Sequence, residues 1–299
     1  MKTNFSILLF VCLFVSTAFS QANWQAVDYT KEYKGTFKIP KASVKSLKAN
    51  PIFVNSYSIV QTTSMSGSNK KGGGAVHSGV SLTGVNQADY QTLLNEMYLD
   101  LMNKLNAEGM KTTNGDDALS TGYAKKQIAK ESKSQFIGNS KNAKPLVKNK
   151  TITFYPQNVN QYVSNNLMKM GVFYQKLADE GYNLLVIKYT IQFATFQTSS
   201  GYKNISINTK PDLAIFVEVM MLTPNGAYNK IYYSKQPIWA GDDWAQGIYK
   251  TSERNGEFWG LANSADYQIL ANSDEYLNRI RAVIQGLQTD IIKGIKSNF

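Results

Sequence analysis

The sequence predicts an α+β fold, a mixed arrangement in which a largely antiparallel sheet carries packed amphipathic helices, one of them C-terminal. Three observations carry this prediction. Two long segments, residues 87–108 and 273–295, repeat apolar residues at three- and four-residue steps. Between them, over residues 184–239, three runs read as strands, the first alternating apolar and polar residues, with Pro224-Asn225-Gly226 as a turn signal between the last two. Hydrophobic residues make up 43% of the 299 positions, enough to fill a sizeable core.

Residues 1–20 read as a secretory signal peptide. Lys2 precedes the apolar run Ile7-Leu8-Leu9-Phe10-Val11-Cys12-Leu13-Phe14-Val15, and Ala18-Phe19-Ser20 places small residues where a signal peptidase reads. The run is shorter than the about 20 apolar residues a membrane span requires. Bulky Phe10 and Val11 before Cys12 disfavour a lipoprotein signal, and no later segment is apolar enough to cross a bilayer. The expected location is exported: periplasmic, outer-membrane-associated or extracellular.

Residues 21–51 form a polar, lysine-rich arm, and a single mixed domain is expected over 52–299. Within it, Ile52 to Val60 reads as a first strand, and the glycine-rich stretch 66–80 reads as a mobile surface loop. Tyr90, Leu93, Leu94, Met97, Tyr98, Leu101, Met102 and Leu105 make the apolar face of a helix from Gln87 to Glu108, with Asn86 as cap and Gly109 as stop. Thr151 to Tyr155 is a short strand ended by Pro156. Residues 159–180 read as helical, with Val163, Leu167, Met170, Phe173, Tyr174 and Leu177 inward. Leu185 to Phe193, Leu213 to Leu222 and Lys230 to Trp239 should form an antiparallel meander. In the last helix Ser273 is the expected cap, Asp274 and Glu275 oppose the helix dipole, and Tyr276, Ile280, Val283, Ile284, Leu287, Ile291 and Ile295 face inward.

Composition narrows the chemistry. Cys12 is the only cysteine and lies in the leader, so the exported chain has no disulfide, thiolate nucleophile or cysteine-bound metal. His77 is the only histidine, and it sits in the glycine-rich stretch, where a catalytic or metal-binding role has little support. That stretch is not a phosphate-cradling loop, because its lysines precede its glycines. No cofactor or metal is expected: Asp116-Asp117 and Asp242-Asp243 lack the spacing of a calcium loop. The sequons at Asn149 and Asn204 would matter only in a eukaryote.

The formal net charge is +11. Its excess concentrates in a basic connector at 122–150, where Lys125, Lys126, Lys130, Lys133, Lys141, Lys144, Lys148 and Lys150 face only one acid, Glu131. It reads as a solvated connector or as a docking strip for a polyanion, such as lipid headgroups or an acidic polysaccharide. Nucleic acid is the least supported partner, since base stacking needs interleaved aromatics and only Tyr123 and Phe136 lie there.

Residues 239–272 read as an aromatic loop. Trp239, Asp242, Asp243, Trp244, Tyr249, Phe258 and Trp259 form the candidate ligand-binding set, because flat rings beside carboxylates suit a sugar. Asp242, Asp243, Glu253 and Glu257 also allow a glycosidase pair. The competing reading has these tryptophans plugging the end of the core.

The order strand, helix, weak strand, helix, three antiparallel strands, helix resembles the periplasmic domain of curli-secretion-channel (CsgG) lipoproteins and the TolB N-terminal domain. The matching elements are the strand from Ile52, the helix Tyr90 to Leu105, the strands at 184–196, 213–222 and 230–238, and the helix 274–295. The resemblance implies a homo-oligomeric secretion or assembly subunit. It is one of layout, and no functional residue carries over. The leader and the Asn/Lys/Tyr-rich composition are similar to those of Bacteroidota envelope proteins. The leading expectation is a non-enzymatic envelope protein that binds or assembles with other envelope components or an anionic glycan surface. A carbohydrate-binding protein using the tryptophan loop is the alternative.

Overall fold

The computed structural model describes residues 41–71, 74–120, 122–131, 145–148, 150–163, 167–200, 205–224, 228–233, 237–255 and 263–296. The leader, residues 21–40, Lys133, Lys141, Lys144, Phe258 and Trp259 lie outside them. The fold is α+β with a C-terminal helix. In chain order the elements are α1 (Lys41–Ala49), β1 (Ile52–Val54), β2 (Ser58–Thr62), β3 (Ser64–Lys71), β4 (Gly74–Thr83), α2 (Gln87–Ala107), β5 (Thr112–Thr113), α3 (Gly115–Leu119) and α4 (Gly122–Glu131). Then follow β6 (Leu146–Lys148), β7 (Thr151–Phe154), α5 (Leu167–Asp179), β8 (Asn183–Ser200), β9 (Ile205–Leu222), β10 (Tyr228–Tyr233), β11 (Ile238–Trp239), β12 (Ala245–Asn255), β13 (Asn263–Ala271) and α6 (Ser273–Lys296).

The large sheet runs β10-β9-β8-β2-β7-β6, with β11 on β9 and the short β1 and β5 beside β8. The expected meander is present as β8, β9 and β10, paired antiparallel. The sheet is mixed rather than wholly antiparallel, because β1 and β2 pair parallel to β8. A second sheet runs β12-β13-β4-β3, with β13 and β4 parallel.

Alternation along β8 divides the core in two. Leu185, Ile187, Tyr189, Ile191 and Phe193 join the larger cluster with α2 and α6, while Leu184 and Val186 join a smaller one with α3, α4 and α5. Helices therefore lie on both sides of the large sheet. The second sheet continues the cover on the α2/α6 side. Val80, Ile269 and the half-buried Met65, Leu82 and Tyr267 belong to the same cluster as Phe196 at the far end of β8. Gly67 permits this approach: a Cβ there would stand 2.7 Å from the Phe196 ring and 2.8 Å from Ile207. Ser78 and Thr209, both buried, share a hydroxyl hydrogen bond of 2.6 Å between the layers.

The architecture repeats a unit that the sequence does not reveal. A β-hairpin followed by a helix occurs as β3-β4-α2 and again as β12-β13-α6. Their second strands are parallel neighbours, so the two helices run side by side in the same direction. Arg281 pairs with Glu96 at 3.0 Å, and Lys296 pairs with Glu108 one end further on. Between the helices and the sheet, Gln288 donates to the Tyr57 hydroxyl at 2.8 Å and to the Met97 carbonyl at 2.9 Å.

Several expectations are corrected. The arm holds helix α1, whose Ser46 hydroxyl donates to Asn183 at 2.8 Å and whose Leu47 is buried. The glycine-rich stretch is the β3-β4 hairpin, with Val76, Ser78 and Val80 buried. Its exposed Ser66, Ser68 and Lys70 mask the period-two pattern. The strand 52–60 is broken at Ser56, which has φ +57°. Asn55 and Ser56 instead bond the backbone of Tyr162: Tyr162 N–H donates to Asn55 Oδ1 at 2.7 Å and its carbonyl accepts from Asn55 Nδ2 at 3.0 Å. This engagement accompanies a non-helical path over 159–163, and the described helix is Leu167–Asp179. Tyr162 stacks on Phe173 with ring centres 3.6 Å apart. The basic connector holds helix α4 and strand β6. The aromatic loop is the β12-β13 hairpin. The last helix is capped one residue earlier than expected, by Asn272, whose Oδ1 accepts from Glu275 N–H at 3.3 Å.

Candidate functional site

Of the expected aromatic set, Phe258 and Trp259 lie outside the described residues, and Trp239 and Trp244 differ in exposure. Trp244 is fully buried, lies edge-on to Tyr276 at 4.8 Å, and donates its indole N–H to the Gly241 carbonyl at 2.8 Å. It is a core plug. Asp243 pairs with the buried Arg279, which also donates to the Ala240 carbonyl at 2.6 Å and approaches Glu275 at 3.9 Å. Asp242 is exposed; burial, with the negative charge of Asp242 as the lesser cause, raises the pKa of neighbouring Asp212. Glu253 pairs with Lys250 at 2.7 Å. Tyr249 and Ile248 stand exposed on β12. On β13, Asp266 accepts from Gly79 N–H on β4 at 3.1 Å and from the Ser252 hydroxyl on β12 at 2.8 Å, binding three strands together.

The basic residues separate as well. Lys125, Lys126 and Lys130 are exposed on α4. Lys125 borders an open pocket of about 340 Å³ that Asp116, Leu119, Ser120, Ile128 and Asn160 also line. Asn160 donates its side-chain amide to Asp116 there. Lys148 lies on β6, and Lys150 donates to the Ser66 hydroxyl at 3.1 Å. His77 is exposed on β4, where its backbone N–H donates to the Ser264 hydroxyl at 3.1 Å.

Register then joins one residue of each set. Lys148 lies opposite Thr151, and Thr151 opposite Thr62. The β2-β8 register, carried one residue past Gln61 and Ile191, sets Thr62 beside Gln192. Gln192 faces Ala214, and Ala214 faces Trp239. Directly opposed residues share a sheet face, so one row crosses the sheet from Lys148 to Trp239. Five strand-to-strand steps of about 4.8 Å give the row a length of about 24 Å. A second row, Thr153, Val60, Thr190 and Phe216, runs beside it. A third contains Lys188 and Glu218, ion-paired at 3.2 Å.

Among the described residues this face is partly open. Trp239 is 48% exposed, Lys148 is exposed, Thr151, Thr62, Gln192, Val60, Thr190 and Phe216 are half-buried, and Ala214 between Gln192 and Trp239 is buried. The helices described on this side pack over Phe53, Leu184, Val186 and Leu222. Gln192 lies six residues beyond Val186 on β8, about 20 Å along the strand. Ile238, next to Trp239, is buried in the larger cluster, so period-two alternation turns Trp239 outward.

The hydroxyls of five tyrosines lie on the opposite, buried side. Burial raises the pKa values of Tyr57, Tyr90, Tyr98, Tyr189 and Tyr276, that of Tyr98 to about 12. They stay protonated at neutral pH and fill the core. Among the described residues, no group of three or more His, Cys, Asp or Glu side chains could hold a metal, and no helix is long and apolar enough to cross a membrane. No protein-family model matches the chain, and no curated protein or solved structure matches it either.

Proposed function

We propose that this is a non-enzymatic, exported component of the cell envelope that binds other envelope components through the open face of its large sheet. The leader supports export. The row from Lys148 to Trp239 carries the binding reading, because it is a long, half-exposed line of cationic, hydroxyl, amide and aromatic side chains on a rigid sheet. Sedimentation with washed envelope fragments tests it. The protein should pellet with them, and Trp239→Ala should leave most of it in the supernatant. Recovery of the native protein in the cytosolic fraction, or pelleting indifferent to Trp239, would refute the reading.

A second reading, assembly with further copies of the chain, is supported by β12. This 11-residue strand is the outer strand of its sheet among the described residues and exposes Ile248 and Tyr249. The layout resemblance to the curli-secretion-channel lipoproteins points the same way. Light scattering after size exclusion decides it: a defined oligomer supports assembly, and a clean monomer removes it.

A further inference from the structure

We propose that the open face binds an acidic polysaccharide lying across the strands, with a sugar ring on Trp239 and a carboxylate at Lys148. This deepens the envelope-binding reading and rests on it.

The row's chemistry is ordered along its length. At one end Trp239 offers an indole face on a two-residue strand held to β9. Aromatic faces take the apolar side of a sugar ring, and a ring fixed on a sheet loses little freedom on binding. In the middle, the Thr62 hydroxyl and the Gln192 amide both donate and accept and so match sugar hydroxyls, while the Thr151 hydroxyl, which donates to the Lys148 carbonyl at 2.9 Å, is left as an acceptor. At the other end Lys148 supplies a cation. The six residues of this row include no acid to oppose it. Glu218 on the same face is paired by Lys188, while Asp212, two residues before Ala214 on β9, and the exposed Asp242 put negative charge near the Trp239 end and leave Lys148 as the end that takes a carboxylate.

Charge selects the acidic ligand over a neutral one. Lys125, Lys126 and Lys130 project from α4, which packs on this same side of the sheet through Ala124. A polyanion crossing the face meets the Lys148 cation directly, and the α4 lysines stand further off with Asp116 beside Lys125. A lysine cation contributes attraction without fixed geometry, so it suits a repeating polymer whose carboxylates recur along its length. Nucleic acid fits less well, because successive bases need successive rings and this row has one.

Titration calorimetry of the purified protein with oligogalacturonate, and with the fully methyl-esterified form of the same chain, tests the inference. The parent should prefer the acidic form, and added salt should erase the preference. Trp239→Ala should weaken binding of both forms by roughly tenfold, equivalent to about 1.4 kcal/mol. Lys148→Gln should weaken binding of the acidic form alone, by a few-fold. Both side chains are exposed, so thermal unfolding of the variants should match the parent; Gln192→Ala serves as a third probe if either variant misfolds.

Absence of binding by the parent overturns the inference, as does equal affinity for both forms or insensitivity to all three variants. If the oligosaccharides fail while Trp239→Ala still releases the protein from envelope fragments, the glycan inference falls and the envelope reading stands. If both fail, the two fall together.

Discussion

Replacing Trp244 with alanine separates the two roles that the sequence left open for its tryptophans. The side chain is fully buried, meets Tyr276 edge-on at 4.8 Å, and bonds the Gly241 carbonyl at 2.8 Å. Truncating a buried aromatic costs about 3–5 kcal/mol, combining lost transfer energy with a cavity. The lost hydrogen bond adds little, because the Gly241 carbonyl keeps the Leu213 N–H at 3.0 Å. In a domain of this size a loss of 3–5 kcal/mol lowers the melting temperature by roughly 6–20 °C. The expected result in urea is a lower midpoint at unchanged slope. Trp239→Ala, removing an exposed ring, should change stability by no more than about 0.5 kcal/mol. If Trp244→Ala costs less than about 1 kcal/mol while Trp239→Ala costs several, the assignment of core plug and surface ring is wrong, and the hairpin becomes the candidate site again.

Asn272→Ala should cost about 1 kcal/mol in chemical unfolding and Ser273→Ala only a few tenths, because Asn272 holds the cap of α6. Gly84→Ala should destabilise by about 2–4 kcal/mol, since φ is +88° and a Cβ would stand 2.5 Å from the Ala271 carbonyl; an unaltered melting curve would contradict the close approach of the two hairpin-helix corners. Arg279→Ala should cost about 2–4 kcal/mol by stranding the Ala240 carbonyl, whereas Asp243→Asn should cost under about 1 kcal/mol, because the Asp243 side chain is 52% exposed. The buried tyrosines set the alkaline limit. Below pH about 10 they are protonated whether folded or unfolded, so stability is flat there. Above it the unfolded chain ionises while Tyr98 holds its proton to about 12, and stability falls by up to about 1.4 kcal/mol per pH unit for each such tyrosine. Phenolate absorbance should therefore rise in a step that coincides with loss of circular dichroism; smooth ionisation near pH 10 with the fold intact would refute this.

The elements legible in the sequence are those whose apolar period survives uninterrupted. Tyr90 through Leu105 and Tyr276 through Ile295 mark α2 and α6 without ambiguity, and the alternation Leu185 to Phe193 marks β8. The elements missed are those where tertiary contacts set the backbone. The β3-β4 hairpin reads as flexible because Gly67 and Gly79 are present for close packing against Phe196 and Asp266, which only the fold supplies. The strand break at Ser56 and the extended path through Tyr162 depend on each other across more than a hundred residues. Lys41 to Ala49 reads as a polar arm because only Ser46 and Leu47 are buried among its described side chains.

The candidate site was legible residue by residue but not as a unit. Trp239 and Lys148 stand out in the sequence, one beside other tryptophans and the other among lysines, and each run suggests its neighbours as partners. Among the described residues neither run gathers its members: Trp244 packs into the core against Tyr276, and Lys125, Lys126 and Lys130 lie on α4 while Lys148 lies on β6 and Lys150 just beyond it. What unites Trp239 with Lys148 is the register of five successive strand pairings, and a slip of one residue in any of them would turn the residues beyond it to the covered face. Thr62, Thr151 and Gln192 carry no signal alone, since such residues are ordinary on a solvent-facing strand. In the proposed site they count only because the described helices on that side pack near Val186 and leave the next stretch of sheet bare of described helices. A surface of this kind is specified by where the cover ends, which is a property of the packed layers and not of any motif in the chain.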